Sequence, residues 1–170
     1  MSRDYTPFRP SRLWKRLPSE RRRVAAELFW ADEQSAEQQA EAIAAIASHM
    51  KFRTKSVLAL PAGKRVRYLM SLPTISDSIA ARALVSYHLE HQRPMMSAFL
   101  DSLGISHENG LISEETVPKP DADRLRSAAS ALTTTFPAED VSLYFSTLVS
   151  QDPETWGELA ELPATSAVVA

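Results

Sequence analysis

The spacing of apolar residues predicts helices along almost the whole chain. Apolar side chains recur at intervals of three and four, which places them on one face of an α-helix. No segment shows the sustained alternation of apolar and polar residues that is typical of a half-buried strand. The pattern therefore predicts an all-α fold. The predicted helices, about eight in number, cover 20–33, 36–50, 54–60, 62–72, 77–92, 94–103, 122–135 and 138–151, and a shorter one follows Pro153.

Residues that start and stop helices mark the boundaries of these segments. Ser19 and Asp121 are predicted N-caps, and Ser35 with Gln38 forms the capping-box pattern. Gly104 is predicted to end a helix in the left-handed conformation, which glycine adopts at little steric cost. The connections are short and several contain proline, so successive helices must turn corners. We therefore expect an orthogonal bundle or an array of short helix pairs.

The chain is predicted to form one helical domain over 11–162, with a flexible arm over 1–10 and a flexible tail over 163–170. This domain has three predicted parts. They are a main body, a long loop and a C-terminal helical hairpin, at 11–103, 104–120 and 121–162.

The long loop has two interpretations. Asn109 and Gly110 stand between the apolar residues Ile105 and Leu111, which predicts a tiny β-hairpin within 104–114 through a type I′ turn. The alternative is an exposed linker without regular structure. A connection of this length inside a domain is unusual and is often functional or mobile.

Composition excludes several classes of chemistry. The chain has no cysteine, so it has no disulfide scaffold, thiolate metal site or cysteine nucleophile. Its four glycines lie too far apart for a dinucleotide fingerprint or a phosphate-binding P-loop. No apolar run approaches the ~20 residues of a membrane-spanning helix. The first ten residues also lack the apolar run that is typical of a secretory signal. We therefore expect a soluble, cytoplasmic protein with no cofactor and no membrane contact.

Charge is segregated along the chain although the formal net charge is only −2. Residues 1–23 carry +6 and residues 51–76 also carry +6. Residues 24–50 carry −5 and residues 77–170 carry −9. The near-neutral total therefore results from a basic first half and an acidic remainder, which we describe as a basic front and an acidic back.

Eight basic side chains are candidates for an anion-facing or partner-binding patch. Several crowd the first turns of predicted helices, where the macrodipole is already positive and backbone N–H groups are free. Trp14, Phe29 and Trp30 lie nearby and are candidate aromatic anchors, with core packing as the alternative use. The eight candidates are Arg12, Arg16, Arg21, Arg22, Arg23, Lys64, Arg65 and Arg67.

A metal or hydrolytic site has weaker sequence support. His88 and His91 lie three residues apart on one predicted helix, so their side chains share a face. His107 and Glu108 from the loop would complete a ligand set or a catalytic group. No established ligand motif or nucleophile elbow accompanies them. The hypothesis requires the four side chains to converge, and the sequence otherwise predicts no catalytic residue, no metal and no small-molecule substrate.

Three functional hypotheses follow. The leading one is a non-enzymatic module for protein–protein interaction or structure, which binds a protein partner or self-associates between its basic and acidic surfaces. The second is a nucleic-acid-associated protein that uses the basic residues of 9–23 and 51–67. The third is a metal-dependent or hydrolytic enzyme around the histidines.

Overall fold

The structure of the protein is a computed structural model that describes residues 3–169. The all-α prediction is confirmed, and the described residues form eleven α-helices and one two-stranded sheet. The helices are α1 (Pro10–Arg16), α2 (Ser19–Ala31), α3 (Ala36–Met50), α4 (Thr54–Leu58), α5 (Ala62–Ser71), α6 (Asp77–His91), α7 (Arg93–Leu103), α8 (Ala122–Thr135), α9 (Ala138–Gln151), α10 (Pro153–Trp156) and α11 (Pro163–Val169). The strands are β1 (His107–Glu108) and β2 (Leu111–Ile112), and 3₁₀ turns cover Thr6–Phe8, Glu33–Ser35 and Gly157–Glu161.

The described chain divides into two compact units. Unit 1 comprises 3–16 and 88–169, and unit 2 comprises Leu17–Tyr87. This division differs from the predicted parts, because the first helix groups with the C-terminal half of the chain. The number of independently folding domains stays a prediction.

Unit 1 is built around an aromatic core from α7, α9 and α10. The ring centroid of Phe99 lies 5.0 Å from that of Phe145 and 6.0 Å from that of Trp156. Tyr144 adds an edge-to-face contact to Phe99 at 5.7 Å. Offset and edge-on packing of this kind is the favoured arrangement for aromatic side chains. Leu125 of α8 is also fully buried in this core.

Both ends that the sequence predicts to be flexible contain helical elements where the structure describes them. Phe8 is buried in the core of unit 1, which holds the predicted arm in place, and α1 already begins at Pro10. The predicted tail forms α11, and Thr165 is buried with its hydroxyl donating to the carbonyl of Leu159 at 2.6 Å. The sequences of these short ends lack helical periodicity, so their helical elements could not be predicted from residue spacing. Residues 1–2 and 170 of these predictions lie outside the described residues.

The ends of the helices follow the predicted signals in two places and depart from them in two others. Asp121 caps α8 by accepting from the backbone N–H of Arg124, and Gly104 ends α7 at φ 68°. Ser19 is not an N-cap, because the N-cap position of α2 is Pro18. Ser35 does occupy the predicted N-cap position of α3, but its side chain makes no capping hydrogen bond and instead accepts from Arg82 Nε.

The loop over 104–120 contains the predicted hairpin. β1 and β2 pair antiparallel, with His107 opposite Ile112 and Glu108 opposite Leu111. Asn109 and Gly110 have φ values of 49° and 92°, as the two central residues of a type I′ turn require.

Within the described residues, no helix has both the length and the apolar character needed to cross a membrane. The predicted cytoplasmic location is not tested by this finding and stays a prediction.

Candidate anion-binding site

A cleft of about 840 Å³ lies where α2 packs against α5 in unit 2. α2 begins directly after Pro18 and α5 directly after Pro61, so a proline sets the start of each helix. A cleft of this size can hold a small molecule or several side chains of a peptide. Its lining residues are Ser19, Arg22, Arg23, Glu27, Trp30, Ala31, Ala62, Gly63, Arg65, Val66, Arg67, Met70 and Ser71. We call it the arginine cleft.

The arginine cleft joins two basic segments that are distant in sequence. Arg22 and Arg23 come from α2, and Arg65 and Arg67 come from α5. Glu27 is the only acidic residue in the lining, so four arginines and one glutamate line the cleft. A concave surface lined by one sign of charge concentrates its field and attracts ligands of the opposite charge. The geometry of the cleft therefore favours an anionic ligand.

The two arginines of α2 are held by contacts within unit 2. Arg23 forms ion pairs with Glu20 and Glu27, one turn away on each side. Hydrogen bonds from Arg23 hold the pKa of the Glu20 carboxyl below its usual value. The carboxylates of Glu20 and Glu27 in turn raise the pKa of Arg23. Arg22 donates from Nη2 to the carbonyl oxygen of Leu17 at 3.0 Å. Part of the basic charge is therefore balanced inside the protein.

The two arginines of α5 are different. Neither Arg65 nor Arg67 has a carboxylate within ion-pair distance among the residues that the structure describes. The guanidinium carbon of Arg65 lies 5.3 Å from the ring centroid of Trp30, which is a cation–π contact. Trp30 in turn packs edge-on against the buried Phe29 at 5.1 Å. The cationic groups of α5 thus remain available to an external anion.

Two hydrogen-bond donors in this lining are buried without an acceptor. Trp30 Nε1 and Arg65 Nε are both inaccessible to solvent, and neither has a hydrogen-bond partner in the described part of the chain. A buried donor in this state costs about 1–3 kcal/mol. Both groups can only donate, and their burial keeps them out of direct contact with a ligand in the cleft.

The end of α2 that carries Trp30 is held by a polar network. Gln39 Nε2 donates to the carbonyl oxygens of Phe29, Trp30 and Asp32 at 2.9, 3.2 and 2.9 Å. The carbonyls of Phe29 and Trp30 lie in the last turn of α2, where intrahelical donors are absent, and Asp32 follows directly after the helix. The amide of Gln39 therefore serves as a side-chain cap for the C-terminal end of α2.

Asp32 extends this network to α6. Its carboxylate accepts from Arg82 Nη2 at 2.8 Å and from the hydroxyl of Ser86 at 3.0 Å. Partial burial raises the pKa of Asp32, but hydrogen bonds from Gln34 N–H, Arg82 and Ser86 outweigh it and hold the pKa below its ordinary value. Arg82 also donates from Nε to Ser35 Oγ at 3.0 Å. The serine that resembles a helix cap in sequence is thus an acceptor in this tertiary network.

The eight predicted basic residues fall into three groups. Arg22, Arg23, Arg65 and Arg67 line the arginine cleft. Arg21 and Lys64 belong to the same two helices but are not part of the lining. Arg12 and Arg16 lie on α1 in unit 1, and their place in an anion-facing patch stays a prediction.

Sequence reasoning did not assign the apolar part of the cleft. Ala31, Val66 and Met70 contribute apolar surface beside the guanidinium groups. Trp30 was predicted to pack in the core or to anchor a partner, and its placement in the lining permits the second use. Helical spacing does place Trp30 and Ala31 at the end of α2, but only the packing of α5 brings them beside Arg65.

The histidine hypothesis does not agree with the structure. His88 is buried and its Nε2 lies 2.9 Å from Thr147 Oγ1, whereas His107 Nε2 pairs with Asp101 at 2.7 Å. His91 and Glu108 are both exposed. In the described part of the chain, no three histidine, aspartate or glutamate side chains are placed to hold a metal ion. These four residues therefore do not form a metal-binding group, and His88 and His107 contact different side chains, Thr147 and Asp101.

The chain has no significant match among protein-family models, curated proteins or solved structures.

Proposed function

We propose that the protein is a non-enzymatic interaction module that binds an acidic segment of a protein partner in the arginine cleft. One observation carries this proposal: Arg65 and Arg67 line the cleft without a carboxylate partner in the described residues. Guanidinium groups bind carboxylates through paired, charge-assisted hydrogen bonds, so an acidic side chain is their natural ligand.

The apolar lining favours a protein partner over a nucleic acid. Ala31 and Met70 offer contacts to aliphatic side chains, which a polyphosphate backbone does not supply. Arg65 already covers the ring of Trp30, so this ring does not offer an open face for base stacking. The ion pairs of Arg23 also interrupt the run of cations that a phosphate backbone would follow. These three features favour a protein partner, and the experiment below therefore includes RNA as the alternative ligand.

Fluorescence anisotropy with a labelled peptide of alternating glutamate and leucine tests the proposal. We expect binding that weakens as salt is raised from about 0.05 M to about 0.5 M, because screening shortens the reach of surface charges. The double variant Arg65→Ala/Arg67→Ala should bind at least about tenfold more weakly, which corresponds to a loss of about 1.4 kcal/mol.

Lys64→Ala is the matched control, because Lys64 is an exposed cation of α5 outside the cleft lining. This variant should bind the peptide as the unmodified protein does. A second titration measures the binding of a labelled single-stranded RNA in place of the peptide. Tight RNA binding without peptide binding, or equal losses from Lys64→Ala and from the cleft variant, would overturn the proposal.

A further inference from the structure

The hairpin of unit 1 presents an apolar and acidic surface to solvent. Leu111 is 52 % exposed and is one of three large hydrophobic side chains so exposed among the described residues. Glu114 and Glu115 follow within four residues and are also exposed. Residues 104–116 contain three acidic residues and no lysine or arginine. We call 111–115 the acidic loop.

The hairpin that carries the acidic loop is held in one conformation by contacts with α7. Arg93 Nη1 donates to the carbonyl oxygen of Asn109 at 2.8 Å, and the backbone N–H of Gly110 donates to His107 Nδ1 at 3.0 Å. Gly110 packs so closely on α7 that a Cβ there would lie 3.0 Å from Met96 Cβ. A preorganised segment loses less conformational entropy on binding, so the hairpin is well suited to dock as a unit.

The two glutamates of the acidic loop lack charge partners within the described residues. Neither Glu114 nor Glu115 has an ion pair there, whereas Glu158 pairs with both Arg3 and Lys119. The acidic charge of 77–170 is therefore used internally at some positions and is available in this loop.

We infer that the acidic loop of one copy of the chain docks in the arginine cleft of a second copy. The inference rests on the proposed function and names the partner as the same chain. The cleft offers the exposed side chain of Leu111 a contact with Ala31 and Met70, and the carboxylates of the loop supply acceptors for Arg65 and Arg67.

The dimensions of the two surfaces agree. α5 runs from Ala62 to Ser71 along the cleft, about 14 Å at 1.5 Å per residue. The acidic loop spans at most about 13 Å from its first to its last Cα at ~3.3 Å per residue. One loop can therefore place its apolar end and its carboxylates along a single cleft.

The symmetry of this contact is head-to-tail. Each chain carries one cleft and one loop, so a single contact between two copies leaves one cleft and one loop free. These either engage each other, which closes a two-fold symmetric dimer with two contacts, or bind further copies in longer chains and rings. Oligomer size should rise with protein concentration and fall with added salt.

Sedimentation velocity with two complementary variants tests the inference. The cleft variant is Arg65→Ala/Arg67→Ala, and the loop variant is Glu114→Gln/Glu115→Gln, which keeps the shape of both side chains. We expect the unmodified chain to form dimers or larger species, and each variant alone to stay monomeric. An equal mixture of the two variants should form dimers and nothing larger, because one intact cleft and one intact loop remain per pair.

Two single variants are the controls. Lys64→Ala removes a cation of α5 outside the cleft lining, and Glu108→Gln removes an exposed carboxylate of β1 outside the acidic loop. Both should assemble like the unmodified chain, and far-ultraviolet circular dichroism should show all variants folded. The isosteric loop variant serves as the test if the cleft variant does not fold.

A chain that stays monomeric at every concentration at low salt would overturn the inference, as would variants that fail to complement each other. The proposed function is judged separately. Binding of the glutamate–leucine peptide by a monomeric chain, lost in the cleft variant, would support an acidic partner while rejecting self-association.

Discussion

The guanidinium carbon of Arg65 lies 5.3 Å from the ring centroid of Trp30, and this contact joins the first turn of α5 to the last turn of α2. Both residues also carry a buried N–H without an acceptor in the described part of the chain. Leaving these donors unsatisfied costs stability, so the contact between the two helices is held by the cation–π interaction and by packing rather than by hydrogen bonds of these two groups.

Replacing Arg65 with methionine should separate stability from binding. Arg65→Met removes the buried Nε donor and keeps the apolar stem on Trp30, so we expect the free energy of unfolding to change by less than about 1 kcal/mol. Binding of the acidic peptide should fall by about tenfold or more. Urea unfolding and fluorescence anisotropy measure the two quantities. Destabilisation of more than about 2 kcal/mol would show that the stacked guanidinium is a structural element.

Gln39→Ala should destabilise unit 2. The substitution removes the amide that donates to the carbonyls of Phe29, Trp30 and Asp32, and we expect a loss of about 1–2 kcal/mol in urea unfolding. Gln38→Ala is the matched control, because this neighbouring glutamine should cost at most ~0.5 kcal/mol. Equal effects of the two substitutions would contradict the assignment of Gln39 as the cap of α2.

Burial of His88 should make stability depend on pH. The hydroxyl of Thr147 donates to the carbonyl of Leu143, so its oxygen accepts the Nε2 proton of a neutral His88. Burial lowers the pKa of His88 from 6.5 to about 4, although Gln92 and Asp140 act in the opposite direction. The unfolded chain therefore binds more protons at this residue between these two values. Stability is full above pH ~6.5 and is lost as the pH falls towards ~4, by up to about 3 kcal/mol.

Urea unfolding between pH 5 and pH 8 measures this dependence. His88→Gln keeps a donor for Thr147 but cannot be protonated, so its stability should fall less on acidification. We expect the unmodified protein to lose about 2 kcal/mol more than the variant at pH ~5. Identical pH profiles for the two proteins would show that His88 is not buried in its neutral form.

Glycine substitutions should have opposite effects at two positions. Gly110 has φ 92° and would place a Cβ 3.0 Å from Met96 Cβ, so Gly110→Ala should destabilise unit 1 by about 1–3 kcal/mol. Gly63 lies in α5 with nothing within 4 Å of the added methyl, so Gly63→Ala should stabilise by about 0.5–1 kcal/mol. Thermal unfolding followed by circular dichroism measures both. Destabilisation by Gly63→Ala, or a neutral Gly110→Ala, would contradict these placements.

Helix positions were largely predictable because apolar periodicity and local capping act within a few residues. The end of α7 shows this: Gly104 adopts φ 68°, and the N–H of Ile105 donates to the carbonyl of Leu100 at 3.0 Å. Ser35 shows where this local reasoning fails. Its sequence pattern predicts a cap, but Arg82, 47 residues away, takes its hydroxyl as an acceptor. Long-range hydrogen bonds of this kind leave no local signal.

The sequence by itself determined the helical character of the chain, its hairpin turn and the segregation of basic from acidic segments, since these follow from residue spacing and composition. The tertiary structure alone decided which charges share a surface. It joined Arg82 to Asp32, 50 residues away, placed Arg65 on Trp30 and separated the histidines. The reason is that burial, partner and distance are set by packing between helices far apart in the chain, and these control whether a charge is neutralised or remains available to a ligand.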